Sequence, residues 1–391
     1  MAVYKLFPEK DASIYSAYPS MNTGLDAILD VANYVTTISP EVRVARSLVK
    51  FNQPQISDVI ENIASVTSSL NFTASLRSFI AKATNVTIDS SIQVFPIYGE
   101  WNNGTGQYLD NKQNTTGVSW IFQSYSGSNP WITSNFPSLI TGSYSGSNTQ
   151  GGGTWWTGSG GYNGVGSLEA TQSFSLRSDK DLNINVTDIV KVWYSASLGL
   201  PPESSPPHII DNEGFIIKWE DDVEFTPSLA ITPQLSFYSI DTNTIYPPQL
   251  EIKWRDYTYS LGNLSVISTP NVFVSLENNI GVYYSESIVN FKLNVRPEFP
   301  IRTFNTQSNY TKNHALPPAS YYAIKDLDTN EFVVEFDEVN TQISCNSSGS
   351  NFTVYMNGLE PERYYQILIQ TTIGNNTIVK DENYYFKVIN G

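Results

Sequence analysis

Apolar and polar residues alternate with a period of two over much of this chain, the pattern of strands that bury one face. The clearest case is Phe237–Trp254, FYSIDTNTIYPPQLEIKW: a polar loop and a double proline lead into Leu250, Ile252 and Trp254, alternating with Glu251 and Lys253. A prolyl turn feeding a half-buried strand is how an all-β domain closes. Further strands are predicted at Ala12–Tyr15, Ala27–Val31, 44–52, Ile92–Tyr98, 214–221, Leu235–Ser239 and Gln249–Trp254. In 214–221, Phe215, Ile217 and Trp219 alternate with Lys218 and Glu220, although Ile216 breaks the pattern. The best helical period is Ile56, Val59, Ile60 and Ile63, predicting a helix over 56–65 with an imperfect cap at Ser57. The following SLNFTASLRSFIAKA alternates instead and reads as strand. A short helix is expected near Val186–Trp193, with Thr187 or Asp188 as its cap.

Residues 99–166 break this order. They are mostly Gly, Ser, Thr and Asn, with Trp101, Trp120, Trp131, Trp155 and Trp156 interleaved. Such a composition alone would be a flexible linker. Exposed flexible tryptophan is costly in solubility, so long ordered loops over one end of a sandwich are expected. Beyond a boundary at 256–262, the segments LSVIS, NVFVSLEN, IVNFKLNV, YYAIKD, FVVEFD, NFTVYMNG, YYQILIQTTI and YYFKVI recur at the spacing of small sandwiches of immunoglobulin or fibronectin type. Three domains are expected: 1–256, a middle module with its connection at 257–318, and a small β-sandwich at 319–391.

Composition narrows the partners. The chain has 391 residues, enough for several cores, and 40% are hydrophobic. Its formal charge is −15, which disfavours a phosphate backbone or an anionic membrane surface, so neither nucleic acid nor membrane insertion is expected. No run approaches the length of a membrane-spanning helix, and MAVYKLFPEKDASIY has no apolar signal core, so synthesis in a cytoplasm without a classical signal is expected. The single cysteine, Cys345, excludes an intrachain disulfide framework. It reads as an incidental or partly buried thiol. With His208 and His314 in proline-flanked loops, neither a catalytic thiol nor a structural zinc site is expected. Glycosylation acceptors such as Asn71, Asn85, Asn185 and Asn351 read as a product of Asn- and Thr-rich composition.

The segments ASIYSAYPSMNTG, SLVKFNQPQI, VFPIYGEW, INVTDIVKVWYS, GFIIKWED and FYSIDTNTIYPPQLEIKW occur in the order seen in the DNRLRE family, which the chain resembles over roughly 1–256. That resemblance implies an N-terminal jelly-roll β-sandwich, similar to carbohydrate-binding domains that occur as appendages of secreted and cell-surface proteins. The loops at 99–166 are longer and richer in Gly and Trp than the family pattern. RPEFPIRTF, SNYTKNHALPPASYYAIKD and YMNGLEPERYYQILIQT, within about 290–391, are similar to C-terminal parts of tailed-bacteriophage structural proteins. This second resemblance implies a virion location, reached by assembly and host lysis rather than export.

Candidate chemistry is sparse. Glu220, Asp221, Asp222 and Glu224 form the densest acidic run and read as a solvated turn or part of a cation site; no D-x-[DN]-x-[DN]-G loop specifies a structural calcium ion. Asp179 and Asp181 flank Lys180 in a similar turn. The Gly151–Gly153 triplet lacks the context of a phosphate cradle. Glu100 beside Trp101 imitates an acid next to a sugar-stacking ring, but a glycosidase needs two carboxyl groups at a defined separation. No catalytic, cofactor or metal residue is assigned. Trp101, Tyr108, Trp120, Tyr125, Trp131, Trp155 and Trp156 are the candidate contact residues, for a protein interface, local loop packing or glycan recognition. Three classes result: a non-enzymatic virion component (neck, tail or capsid-associated) contacting other virion proteins as a homo-oligomer or symmetric assembly; an adhesin for host surface glycan; and a polysaccharide hydrolase.

Overall fold

The computed structural model describes residues 2–35, 42–67, 71–86, 89–108, 117–125, 129–131, 140–142, 151–157, 159–162, 165–199, 210–225, 232–301 and 311–391. His208 and the PPESSPPH loop lie outside them. The architecture is mainly β: several discrete sheets, largely antiparallel, and among the described residues three α-helices. The chain divides into two compact units, one of Leu6–Glu61 and Thr73–Glu251, the other of Met1–Lys5, Asn62–Phe72 and Ile252–Gly391.

In the first unit an eight-stranded sheet runs in the order Ala170–Phe174, Ser90–Pro96, Phe215–Trp219, Val42–Phe51, Ile28–Val35, Gln234–Tyr238, Ile80–Thr84. Its eighth strand, Pro8–Tyr15, lies along one edge of Val42–Phe51, while Ile28–Val35 and Phe215–Trp219 share the other edge. Strand alternation sends Ala12, Ile14, Val44, Leu48, Phe95 and Ile216 into one buried cluster with Trp101, Trp120, Trp131 and Trp155. Helix α1 spans Gln53–Thr67, three residues earlier than its apolar period predicts. Asn52 Oδ1 accepts the Gln55 N–H at 3.2 Å, an N-cap that replaces the expected Ser57. In α2, Thr187–Ser197, Val186 occupies the cap position with no side-chain cap bond. Thr187 does not cap because its hydroxyl accepts the Ala74 N–H at 2.9 Å. The buried face of α2 carries Trp193, whose ring lies 4.6 Å from that of Phe215.

The second unit is a two-sheet β-sandwich. One sheet runs Val272–Leu276, Ile288–Pro297, Gly349–Tyr355, Ser344–Asn346; the other runs Val282–Tyr284, Asn376–Ile389, Tyr364–Ile373, Ser320–Asp326, Phe332–Val334. Val274, Phe291, Val295 and Phe352 of the first sheet share one buried cluster with Tyr322, Ile324, Ile367 and Phe386 of the second. Tyr322 and Phe352 stack at 4.4 Å. The stretches expected as two modules, 257–318 and 319–391, lie together in one compact unit. Ile288–Pro297 pairs with Gly349–Tyr355, and Val282–Tyr284 pairs in parallel with residues 387–389, so neither stretch owns a sheet. LSVIS keeps only an isolated bridge, Val266 to Ala315, and FVVEFD keeps only Phe332–Val334 as strand.

Candidate functional site

The tryptophans of 99–166 turn inward. Trp101, Trp120, Trp131, Trp155 and Trp156 are all buried, so in this fold they serve the local packing alternative. A buried indole N–H gains from a partner away from water, which Trp101 and Trp131 find and, among the described residues, Trp120 Nε1 does not. Trp101 Nε1 donates to the Glu213 carbonyl at 2.8 Å and Trp131 Nε1 to the Ser119 carbonyl at 2.9 Å. Beneath them lies a buried ion network. Arg46 donates to Glu224 from Nε at 3.2 Å and Nη2 at 2.7 Å, and both side chains are fully buried. Lys218, also fully buried, reaches Asp221 at 2.8 Å and Glu224 at 3.7 Å. The Arg46 guanidinium also donates to the Gly152 carbonyl and lies 5.1 Å from the Trp120 and Trp155 rings. The four charges balance, and the π faces supply further stabilisation.

This network corrects the reading of the acidic run. Residues 221–225 form helix α3, in which Asp221 and Asp222 stay exposed as the solvated reading expects, but Glu224 is buried, and Glu220 Oε1 accepts the Ser91 N–H at 2.9 Å. The glycine triplet serves the same construction. Gly151, Gly152 and Gly153 all have positive φ, and a Cβ at Gly152 would stand 2.8 Å from the Trp120 ring and 2.9 Å from Arg46. The triplet lets backbone approach an indole and a guanidinium where any side chain would intervene.

Of the candidate contact residues, Tyr108 and Tyr125 stay nearer the surface. Tyr125 is partly buried, edge-on to Phe122 at 5.0 Å. Tyr108 is 45% exposed and meets Tyr18, 41% exposed, at 6.1 Å with an interplanar angle of 87°. Behind them the buried Tyr15 ring lies 5.2 Å from Tyr108, tilted by 56°. Tyr15 donates to Asp30 Oδ2 at 2.8 Å, and the Ser236 hydroxyl donates to Asp30 Oδ1 at 2.6 Å. Asp26 Oδ2 accepts the Tyr108 N–H at 3.3 Å. Burial pushes the Asp26 carboxyl above its ordinary pKa, and Asp30 adds to the rise against opposing backbone N–H bonds. Sequence reasoning missed Tyr18, Asp26 and Asp30, because no local pattern brings 15–30 to Tyr108.

The loops that carry this corner are welded together. Asn22, buried, donates from Nδ2 to the carbonyls of Asn103 and Val118, both at 2.7 Å, and its Oδ1 accepts the Gly106 N–H at 2.8 Å. Asn103 returns a bond to the Gly24 carbonyl at 2.6 Å. Gly104, at φ +82°, lies so close to Asn22 that a Cβ would fall 2.3 Å from its Oδ1.

A second surface lies on the five-stranded sheet of the other unit. Tyr283, Tyr365, Phe386 and Val388 point into the core, so their neighbours Val282, Tyr284, Tyr364 and Tyr385 point out. Register places Val282, Lys387 and Tyr364 in one row, and Tyr385, Gln366, Lys325 and Phe332 in the next. Tyr284 is 59% exposed and Tyr364 52%. Lys387 pairs with Glu362 and lies 5.8 Å from the Tyr364 ring.

Elsewhere the chemistry is quiet. Cys345 is a buried free thiol whose pKa burial pushes up. The His314 pKa is lowered by burial and by Lys312. Among the described residues no group of three or more His, Cys, Asp or Glu could hold a metal ion, and no helix is long and apolar enough to cross a membrane. Comparison with protein-family models, curated proteins and solved structures finds no match.

Proposed function

We propose that this chain is a non-enzymatic structural component of a tailed-bacteriophage virion, placed at the neck, tail or capsid surface and held by repeated protein contacts. In this reading the first unit is a jelly-roll module and the second an immunoglobulin- or fibronectin-like sandwich. The supporting observation is the outward face of the five-stranded sheet, where Val282, Tyr284, Tyr364 and Tyr385 stand exposed beside Lys387. A flat face rich in tyrosine suits a protein neighbour, since each ring buries a large area while its hydroxyl stays hydrogen-bonded. Symmetry would multiply such contacts, so each can be weak. Cryo-electron microscopy of purified particles carrying the chain tests this. Density with the tyrosine face covered by neighbours is expected; recovery only as a free protein, with no particle, overturns the reading.

A carbohydrate-binding adhesin is the second reading, favoured by the exposed Tyr108 beside Tyr18. It now rests on those rings, because the five tryptophans are spent on packing. A glycan array probed with the full chain tests it: retained binding that Tyr108→Leu abolishes supports the adhesin, and an array without signal removes it.

A further inference from the structure

We propose that the corner formed by Tyr18, Tyr108, Asp26 and Asp30 is a docking site for a basic side chain, lysine or arginine, on a partner protein. The site lies within the first unit and stands independently of the virion reading. The two exposed rings stand where loops 15–26 and 101–108 meet, and Leu25, 40% exposed, donates its N–H to the Gly106 carbonyl at 3.0 Å at the same junction. Three features point to a cation.

The rings are nearly perpendicular. Only one ring face at a time can lie flat on a pyranose, which is all the adhesin reading can draw on, whereas a compact cation can sit in the angle between two π faces and meet both. The two carboxyl groups beside them repel one another, and among the described residues neither is in an ion pair. Among the described residues Asp26 and Asp30 are served only by neutral donors: backbone N–H groups and the hydroxyls of Tyr15 and Ser236. Lys82 lies opposite Ser236 in the adjacent strand yet forms no ion pair with Asp30. An arriving cation would relieve the repulsion, which a neutral sugar cannot do. The net charge of −15 would also steer a basic partner toward the surface. Finally, the corner is pre-formed: Asn22, Asn103 and Gly104 lock the two loops, so little ordering entropy opposes binding.

The test is a ligand-observed NMR titration of the full chain with acetylated Gly-Gly-Arg-Gly-Gly, its Lys and citrulline counterparts, and maltohexaose. The Arg and Lys peptides are expected to bind in the millimolar range and the citrulline peptide not to. Tyr18→Ala should weaken binding about two- to fivefold, and Asp26→Asn about two- to tenfold. Raising salt from 0.15 to 0.5 M should weaken it further. Asp26→Asn keeps an acceptor for the Tyr108 N–H, and Tyr18 is exposed, so both variants should retain wild-type circular dichroism. Equal binding of the citrulline peptide overturns the proposal, as does wild-type affinity in both variants. Maltohexaose binding that Tyr18→Ala abolishes, with no Arg-peptide binding, also overturns it and gives the corner to glycan.

Discussion

Glu224→Gln removes one charge from the buried network with little change of shape. Arg46 then stays fully buried with the Gly152 carbonyl, two π faces and at most one amide oxygen in place of a bidentate carboxylate. Lys218 suffers less, because Asp221, the Trp219 carbonyl and Gln93 still accept from it at 2.8, 2.7 and 3.1 Å. Breaking a buried ion pair costs about 3–5 kcal/mol, and the surviving amide bond places this variant near the lower end, at about 3 kcal/mol. Replacing both partners, Arg46→Met with Glu224→Leu, leaves no orphaned charge and should cost less than Glu224→Gln alone. Tryptophan fluorescence during urea unfolding reads the right unit, since seven of the eight tryptophans, all but Trp254, lie in it. The single variant should lower the midpoint by about 1 M. A Glu224→Gln protein within 1 kcal/mol (about 0.3 M) of wild type would refute the argument. So would a double variant that loses the sum of both single changes.

Two further outcomes follow from buried polar groups. Asp11, 1% exposed, has its carboxyl pushed up to about 7 by burial and by Asp241, against the Ile240 N–H that it accepts at 2.7 Å. Its folded pKa lies above the ordinary 3.8, so the folded state holds the proton that the unfolded chain releases; stability falls as pH rises from about 4 to 7, by at most about 4 kcal/mol, and levels off above. Asp11→Asn should flatten that window in fluorescence-monitored unfolding and be the more stable protein at pH 8; an unchanged pH profile refutes the assignment. Asn22→Ala strips partners from the Asn103 and Val118 carbonyls and the Gly106 N–H, and should cost about 3 kcal/mol. Chymotrypsin should then cut faster at Tyr108, and an unaltered melting temperature with an unaltered cleavage rate would sink the idea.

Much of the strand layout is legible from alternation, and its failures share one physical cause. Alternation assigns charged positions to water, yet Lys218 in Phe215–Trp219 and Glu251 in Gln249–Trp254 are buried. Glu251 meets Arg77 at 3.4 Å across 174 residues, and Glu224 meets Arg46 across 178. A lone charge reads as solvent-facing because its partner, far along the chain, is invisible to any local window. The 99–166 segment fails in the complementary way. Its tryptophans announced order, but not which way the rings face. For Trp120 and Trp155 the inward direction follows Arg46, whose cation lies against both rings, and Gly152 makes room for Trp120 and the guanidinium. The corner at Tyr18 and Tyr108 belongs to the same class, two loops brought together by one buried asparagine. Residues that join distant segments are therefore where local patterning is least informative, and where a single substitution reports most directly on the tertiary argument.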